Sequence, residues 1–105
     1  TDYVSLGMSA ATSVTNLVTL TELNSAGQTA TTLGDAWGGD GATNILRINV
    51  SAAGVVTYLL NGSAVTGPAA FTLDNGDRVH PFIRIMHSAT PTTVAITRMR
   101  LGFQV

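Results

Sequence analysis

The first half of the chain alternates apolar and polar residues with the period of two that is typical of β-strands. In the opening segment "DYVSLGM", Val4, Leu6 and Met8 share one face. The turn-forming sequence "NSAG" (24–27) separates the next two candidate strands, and the glycine-rich stretch "GDAWGGDGATN" (34–44) is predicted as a loop. The predicted strands of this half are 2–8, 14–23 and 28–33.

The second half continues the alternation with tight turns between the segments. "SAAG" (51–54) indicates a hairpin in which Gly54 supplies a positive φ, and "DNGD" (74–77) is predicted as a turn. The predicted strands here are 44–50, 55–62, 69–73, 78–86 and 93–105. About eight strands at this spacing, with little or no helix, predict an all-β fold. We expect an antiparallel two-sheet β-sandwich of the jelly-roll or concanavalin-like type.

The length of 105 residues predicts a single domain over 1–105. The chain is strand-like by Tyr3 and again in its last residues, "LGFQV". Such close strand boundaries lead us to expect a domain excised from, or processed out of, a longer chain.

Alternation also assigns side chains to faces. Outward positions are predicted for Arg47, Arg98 and Arg100. The residues predicted to face the core are Leu46, Ile48, Val50, Met99, Leu101, Phe103 and Val105.

The predicted strand "RVHPFIRIM" has one apolar face and one mixed face. Pro81 lacks an N–H, which favours a sheet edge or a kink. The mixed face either lies under a loop of the same chain or contacts a partner. The candidate interface residues are His80, Phe82, Arg84 and Met86, joined by Arg98 and Arg100.

Charge is low and unevenly distributed. Charged residues make up 10% of the chain and the net charge is −1, which gives no global basic signature for nucleic acid. Residues 1–44 hold four acids and no base, whereas all five bases, each an arginine, lie in 45–105. Low charge suits a protein held in a larger assembly and also suits a secreted module. No apolar run reaches the roughly 18 residues of a membrane helix, so no membrane partner is expected.

Catalytic and metal-binding patterns are weak. The chain has no cysteine and a single glutamate, Glu22, so neither a thiol nucleophile nor a facing glutamate pair is present. The "DNGD" turn offers only a partial set of calcium ligands. His80 and His87 are seven residues apart, which places them on opposite faces of one strand. We therefore predict no enzyme activity, no metal and no cofactor.

The loop around Trp37 is the segment most like a ligand site. An aromatic ring beside acids and amides is suited to a sugar, because the ring packs on C–H groups and the polar groups bind hydroxyls. The alternative is that Trp37 closes one end of the sandwich while the glycines turn the chain. The candidate glycan-binding residues are Asp35, Trp37, Asp40 and Asn44.

The segment "LRINVSAAGVVTYLLNGSAVT…FTLDNGDRVHPFIRIMH…VAITRMRLGF", within 44–105, resembles the C-terminal half of concanavalin A-like (laminin G-like) sandwiches. The shared pattern is a strand, a glycine turn, an aromatic residue and "NG", here Gly54, Tyr58, Asn61 and Gly62. It also resembles domains of tailed-phage particle proteins. The resemblance implies a structural module of a phage virion surface, such as a decoration, fibre or capsid-associated domain. Its partners would be further copies of itself or other virion proteins, and its location the virion or the extracellular space. The alternatives are a lectin-like carbohydrate-binding module and a fragment of a glycoside-active protein.

Overall fold

A computed structural model describes residues 2–38, 42–85 and 95–102. Contacts divide the chain into two units, Thr1–Asn75 and Gly76–Val105. All six strands found among the described residues belong to the first unit. The single-domain assignment stays a prediction.

The N-terminal strands form an antiparallel sheet in the order β1-β2-β3. Its strands are β1 Tyr3–Ser9, β2 Ser13–Glu22 and β3 Thr29–Ala36. The β2–β3 turn places Asn24, Ser25 and Gly27 at positive φ, as the "NSAG" sequence predicts. These three strands confirm the sequence prediction, with β3 extending into the predicted loop.

A second antiparallel sheet has the order β4-β5-β6, formed by β4 Leu46–Val50, β5 Val56–Leu60 and β6 Ser63–Ala64. Gly54 has φ +80 in the β4–β5 turn, as expected. Asn61 and Gly62 both have positive φ between β5 and β6, which is the backbone of a type I′ hairpin turn. The sequence pattern does not predict the short strand β6, because the predicted strand over 55–62 ends just before it.

The predicted strand at 69–73 is reduced to one bridge between Thr72 and Val55. Two backbone hydrogen bonds hold this segment beside β5. The Val56 N–H donates to the Phe71 carbonyl at 3.0 Å, and the Leu73 N–H donates to the Gly54 carbonyl at 3.0 Å.

One apolar core draws residues from both sheets. Its buried members are Leu17, Leu33, Val56, Tyr58, Val65 and Leu73. Leu46 and Val50 pack against this cluster, and the Arg47 side chain is exposed, as predicted. Ile48 keeps 38% of its surface exposed, so its predicted burial is wrong. Burial of a Leu or Val side chain contributes about 1.5–3 kcal/mol, which makes this cluster the main stabilising feature of the first unit.

The described part of the second unit contains no strand, and every described residue in it is exposed. The strands predicted over 78–86 and 93–105 are therefore wrong wherever the structure describes them. Met99 and Leu101, predicted in the core, are 56% and 75% exposed. The physical reason is that alternation fits a strand only when a neighbouring strand supplies its hydrogen bonds. Phe103 and Val105 lie outside the described residues.

The chain is thus all-β over its described part, with two three-stranded antiparallel sheets in place of about eight strands. Among those residues, no helix is long and apolar enough to cross a membrane.

Candidate functional site

The β3 strand carries an irregularity that positions Asp35. Register with β2 shifts between Asn16 and Val18, and the Asn16 side-chain amide donates to the Leu33 carbonyl at 2.7 Å. The Gly34 N–H then donates to the Thr66 carbonyl at 2.9 Å. The Asp35 carboxylate accepts from the Thr66 N–H at 2.6 Å. Asp35 therefore joins β3 to the segment after β6.

Asn44 connects the Trp37 loop to the β5–β6 turn through its side-chain amide. It donates to the Trp37 carbonyl at 2.7 Å and accepts from the Asn61 side chain at 3.1 Å. Asn61 also accepts from the Ile45 N–H at 2.8 Å. These amide hydrogen bonds join Trp37 and Ile45 to the β5–β6 turn.

The Trp37 side chain is half-buried and packs against the apolar core. Of the four candidate glycan-binding residues, the structure brings Trp37 and Asn44 into contact and turns the Asp35 carboxylate toward Thr66. Asp40 lies outside the described residues. These contacts give the three described residues structural roles, and glycan binding by them stays a prediction.

The candidate interface residues of the second unit are all exposed where they are described. They are His80, Phe82, Arg84, Arg98 and Arg100, whereas Met86 lies outside the described residues. Residues 78–85 and 95–102 are called the C-terminal segments below. In the described part of the second unit, seven of 18 residues are large apolar side chains in exposed positions, against five of 71 in the first unit. Exposed apolar surface often belongs to an interaction site, and contact of the C-terminal segments with a partner stays a prediction.

The two units carry opposite charge. The first holds five acids and one arginine, a net charge of −4, and the second holds one acid and four arginines, a net charge of +3 with histidine neutral. None of the four arginines of the second unit hydrogen-bonds or ion-pairs with a residue that the structure describes.

An open groove of about 390 Å³ lies in the first unit and was not predicted. One wall is the end of the β2–β3 hairpin, from Thr21 to Thr29, and the other is 69–72. We call it the hairpin groove. Leu23 and Phe71 supply apolar surface, and Glu22 supplies the only charge among its lining residues. No local motif could have revealed it, because its walls are about fifty residues apart in sequence.

The tip of the same hairpin is tied to two carboxylates. The Asn24 N–H donates to Asp2, and the Asn24 side-chain amide donates to Asp74 at 2.7 Å. These bonds fix the hairpin wall of the groove. The Glu22 carboxylate, in contrast, has no hydrogen bond or ion pair with any residue in the described ranges.

Tyr58 is the one described core residue whose side-chain hydroxyl lacks a hydrogen-bond partner in the structure. The residue is 3% exposed. Burial raises the pKa of its phenol above the ordinary value of 10.0, because the charged form would lose its hydration. The Tyr58 ring is part of the apolar core cluster.

Comparison of the chain with protein-family models, curated proteins and solved structures finds no match.

Proposed function

We propose that this chain is a non-enzymatic β-sandwich module that works by assembly. Its partners are further copies of itself or other proteins of a virion surface, where it acts as a decoration, fibre or capsid-associated domain. The observation that carries the proposal is the pair of C-terminal segments, which combine exposed apolar side chains with arginines that have no described partner.

Association would cover the exposed apolar side chains and would supply partners for the arginines. Phe82, Ile83 and Ile85 are each about half exposed, so burying their remaining surface contributes about 0.8–1.5 kcal/mol apiece, half the value for a fully exposed side chain. Arginine suits interfaces because its planar guanidinium forms paired contacts with carboxylates. Segments of this composition therefore gain stability against a complementary surface.

Low overall charge supports the virion setting. A protein with 10% charged residues and net charge −1 has little electrostatic repulsion to keep copies apart in solution. In a permanent assembly, low charge is favourable because neighbouring copies pack without repulsion between like charges. The resemblance to tailed-phage particle proteins points to the same setting.

The lectin-like and glycoside-active alternatives gain no support from the site. Asp35 and Asn44 already have internal partners, and Trp37 packs against the core. A sugar would have to compete with these contacts.

The test is the solution mass of the intact chain as a function of concentration, measured by sedimentation equilibrium. We expect the weight-average mass to rise above the 10.8 kDa of one chain as concentration increases. Amide hydrogen exchange should show slower exchange in the C-terminal segments over the same range. A constant mass of one chain up to millimolar concentration would overturn the proposal.

A further inference from the structure

We propose that the hairpin groove receives residues 78–85 of a second copy, with Phe82 in the groove and Arg84 beside Glu22. The inference rests on the proposed function and deepens it, because it names both surfaces of the contact. Such a contact joins two different surfaces, so it builds a ring or a filament and not a closed symmetric pair.

The groove matches the segment in size and polarity. Its volume of about 390 Å³ is open to solvent and leaves room for an aromatic ring laid along the groove. Phe71 and Leu23 line it, and Phe82 is 53% exposed. An aromatic anchor in an apolar groove is the usual centre of a protein interface.

The wall formed by 69–72 has backbone groups that can pair with another strand. Phe71 and Leu73 direct their backbone bonds toward β5. In an antiparallel ladder the residue between two such positions points its N–H and C=O to the other side, and here that residue is Thr72. No described residue hydrogen-bonds to these groups of Thr72, which itself lines the groove. An extended segment can therefore add to this edge, as in β-strand addition.

Charge favours a cationic segment, and 78–85 is the C-terminal segment that also holds an aromatic anchor, Phe82. The Glu22 carboxylate at the groove has no described partner, and the first unit has a net charge of −4. Residues 80, 82 and 84 of an extended segment share one face, about 7 Å apart, so Phe82 in the groove brings Arg84 within reach of a carboxylate at its rim. Between an anionic acceptor and a cationic segment, association is favoured in one orientation.

The test uses two charge reversals, Glu22→Arg and Arg84→Glu, and sedimentation of each variant alone and of their equimolar mixture. Each reversal alone sets like charges against each other, so we expect the dissociation constant to rise by at least about tenfold. In the mixture, each chain's groove finds a complementary segment on the other chain. We expect the mixture to assemble within about threefold of the wild-type dissociation constant.

Two controls keep the result specific. Arg47→Glu reverses a charge on β4, away from the groove lining, and should assemble like wild type. Circular dichroism checks that each variant is folded. If Glu22→Arg unfolds, Glu22→Gln replaces it, and if Arg84→Glu unfolds, Phe82→Ser replaces it; each should weaken assembly when measured alone.

The outcomes separate the two proposals. Wild-type chains that never associate would overturn the proposed function itself. Wild-type assembly that Glu22→Arg leaves unchanged, or a mixture that does not recover, would overturn the groove contact alone. Slow exchange of 78–85 in a strictly monomeric chain would show that the segment fills its own chain's groove, which also overturns the contact between copies.

Discussion

The β4–β5 hairpin and the C-terminal segments have the same kind of sequence pattern and different structures. "NILRINV" and "VVTYLLNG" alternate as clearly as "RVHPFIRIM", yet Tyr58 on β5 is 3% exposed while Phe82 is 53% exposed. The hairpin has a four-residue turn closed by the Gly54 N–H donating to the Ser51 carbonyl at 2.9 Å. Nine residues, 86–94, separate the C-terminal segments in sequence.

The difference teaches that alternation identifies residues able to form a strand, whereas a short turn and an adjacent strand determine whether they do. β5 has β4 on one side and β6 with the bridge at Thr72 on the other. Because two neighbours satisfy its backbone groups, its apolar face can be buried without unpaired N–H or C=O groups. The C-terminal segments have the pattern without such neighbours in their described residues.

A matched pair of leucine truncations gives the largest expected contrast. Leu17 is 0% exposed in the core, so Leu17→Ala should lower the free energy of unfolding by about 2–5 kcal/mol through lost contacts and a cavity. Leu101 is 75% exposed, so Leu101→Ala should change it by less than about 0.5 kcal/mol. Alternation alone would place Leu101 in the core and give it a cost of about 2–5 kcal/mol as well. Chemical unfolding of dilute protein measures both, and equal losses would remove the distinction between the units.

A pair of glycine substitutions tests the turns in the same way. An alanine Cβ at Gly54 would collide with the backbone of Leu73 and would also have to adopt φ +80. At Gly76, φ is +98 but nothing lies near the added Cβ. We expect Gly76→Ala to cost about 1–2 kcal/mol and Gly54→Ala to cost clearly more, as measured by thermal unfolding. Similar costs would show that the segment at 71–73 moves freely away from the turn.

Removal of the Tyr58 hydroxyl should have the smallest effect, and its sign is informative. The hydroxyl has no partner in the structure, so Tyr58→Phe should leave stability at pH 7 unchanged or raise it by about 1 kcal/mol. A loss of more than about 1 kcal/mol would show that the hydroxyl is hydrogen-bonded in solution.

The same variant tests the pH dependence. Below pH 10.0 both folded and unfolded states keep the phenol proton. Above it the unfolded chain releases the proton first, because burial raises the pKa of Tyr58 in the folded state. The stability of the wild-type chain should therefore fall as the pH rises above 10.0, and more steeply than that of Tyr58→Phe. Unfolding at pH 8 and near pH 11 measures the difference, and parallel curves would contradict it.

Local signals predicted β1 to β5, because all five alternate and β2 to β5 each have a recognisable turn beside them. Asn61 and Gly62 form a hairpin turn that the sequence signal "NG" marks, although the two-residue strand after it is too short for alternation to detect. The hairpin groove and the Thr66 contacts of Asp35 depend on which strands become neighbours. Which strands become neighbours is set by the sheet topology, and local sequence patterns do not specify that topology.

Because of how its arginines are distributed, the accessibility of the chain can be measured by limited digestion with trypsin. The chain has no lysine, so trypsin can cut only after its five arginines. Arg47 lies within β4, whose backbone is paired with β5, whereas the other four lie in exposed backbone outside any strand. Proteases require an extended, accessible backbone, so limited digestion of dilute protein should shorten the chain to a stable fragment of residues 1–78 or 1–84. If the chain assembles as proposed, digestion at high concentration should spare the arginines that a neighbouring copy covers.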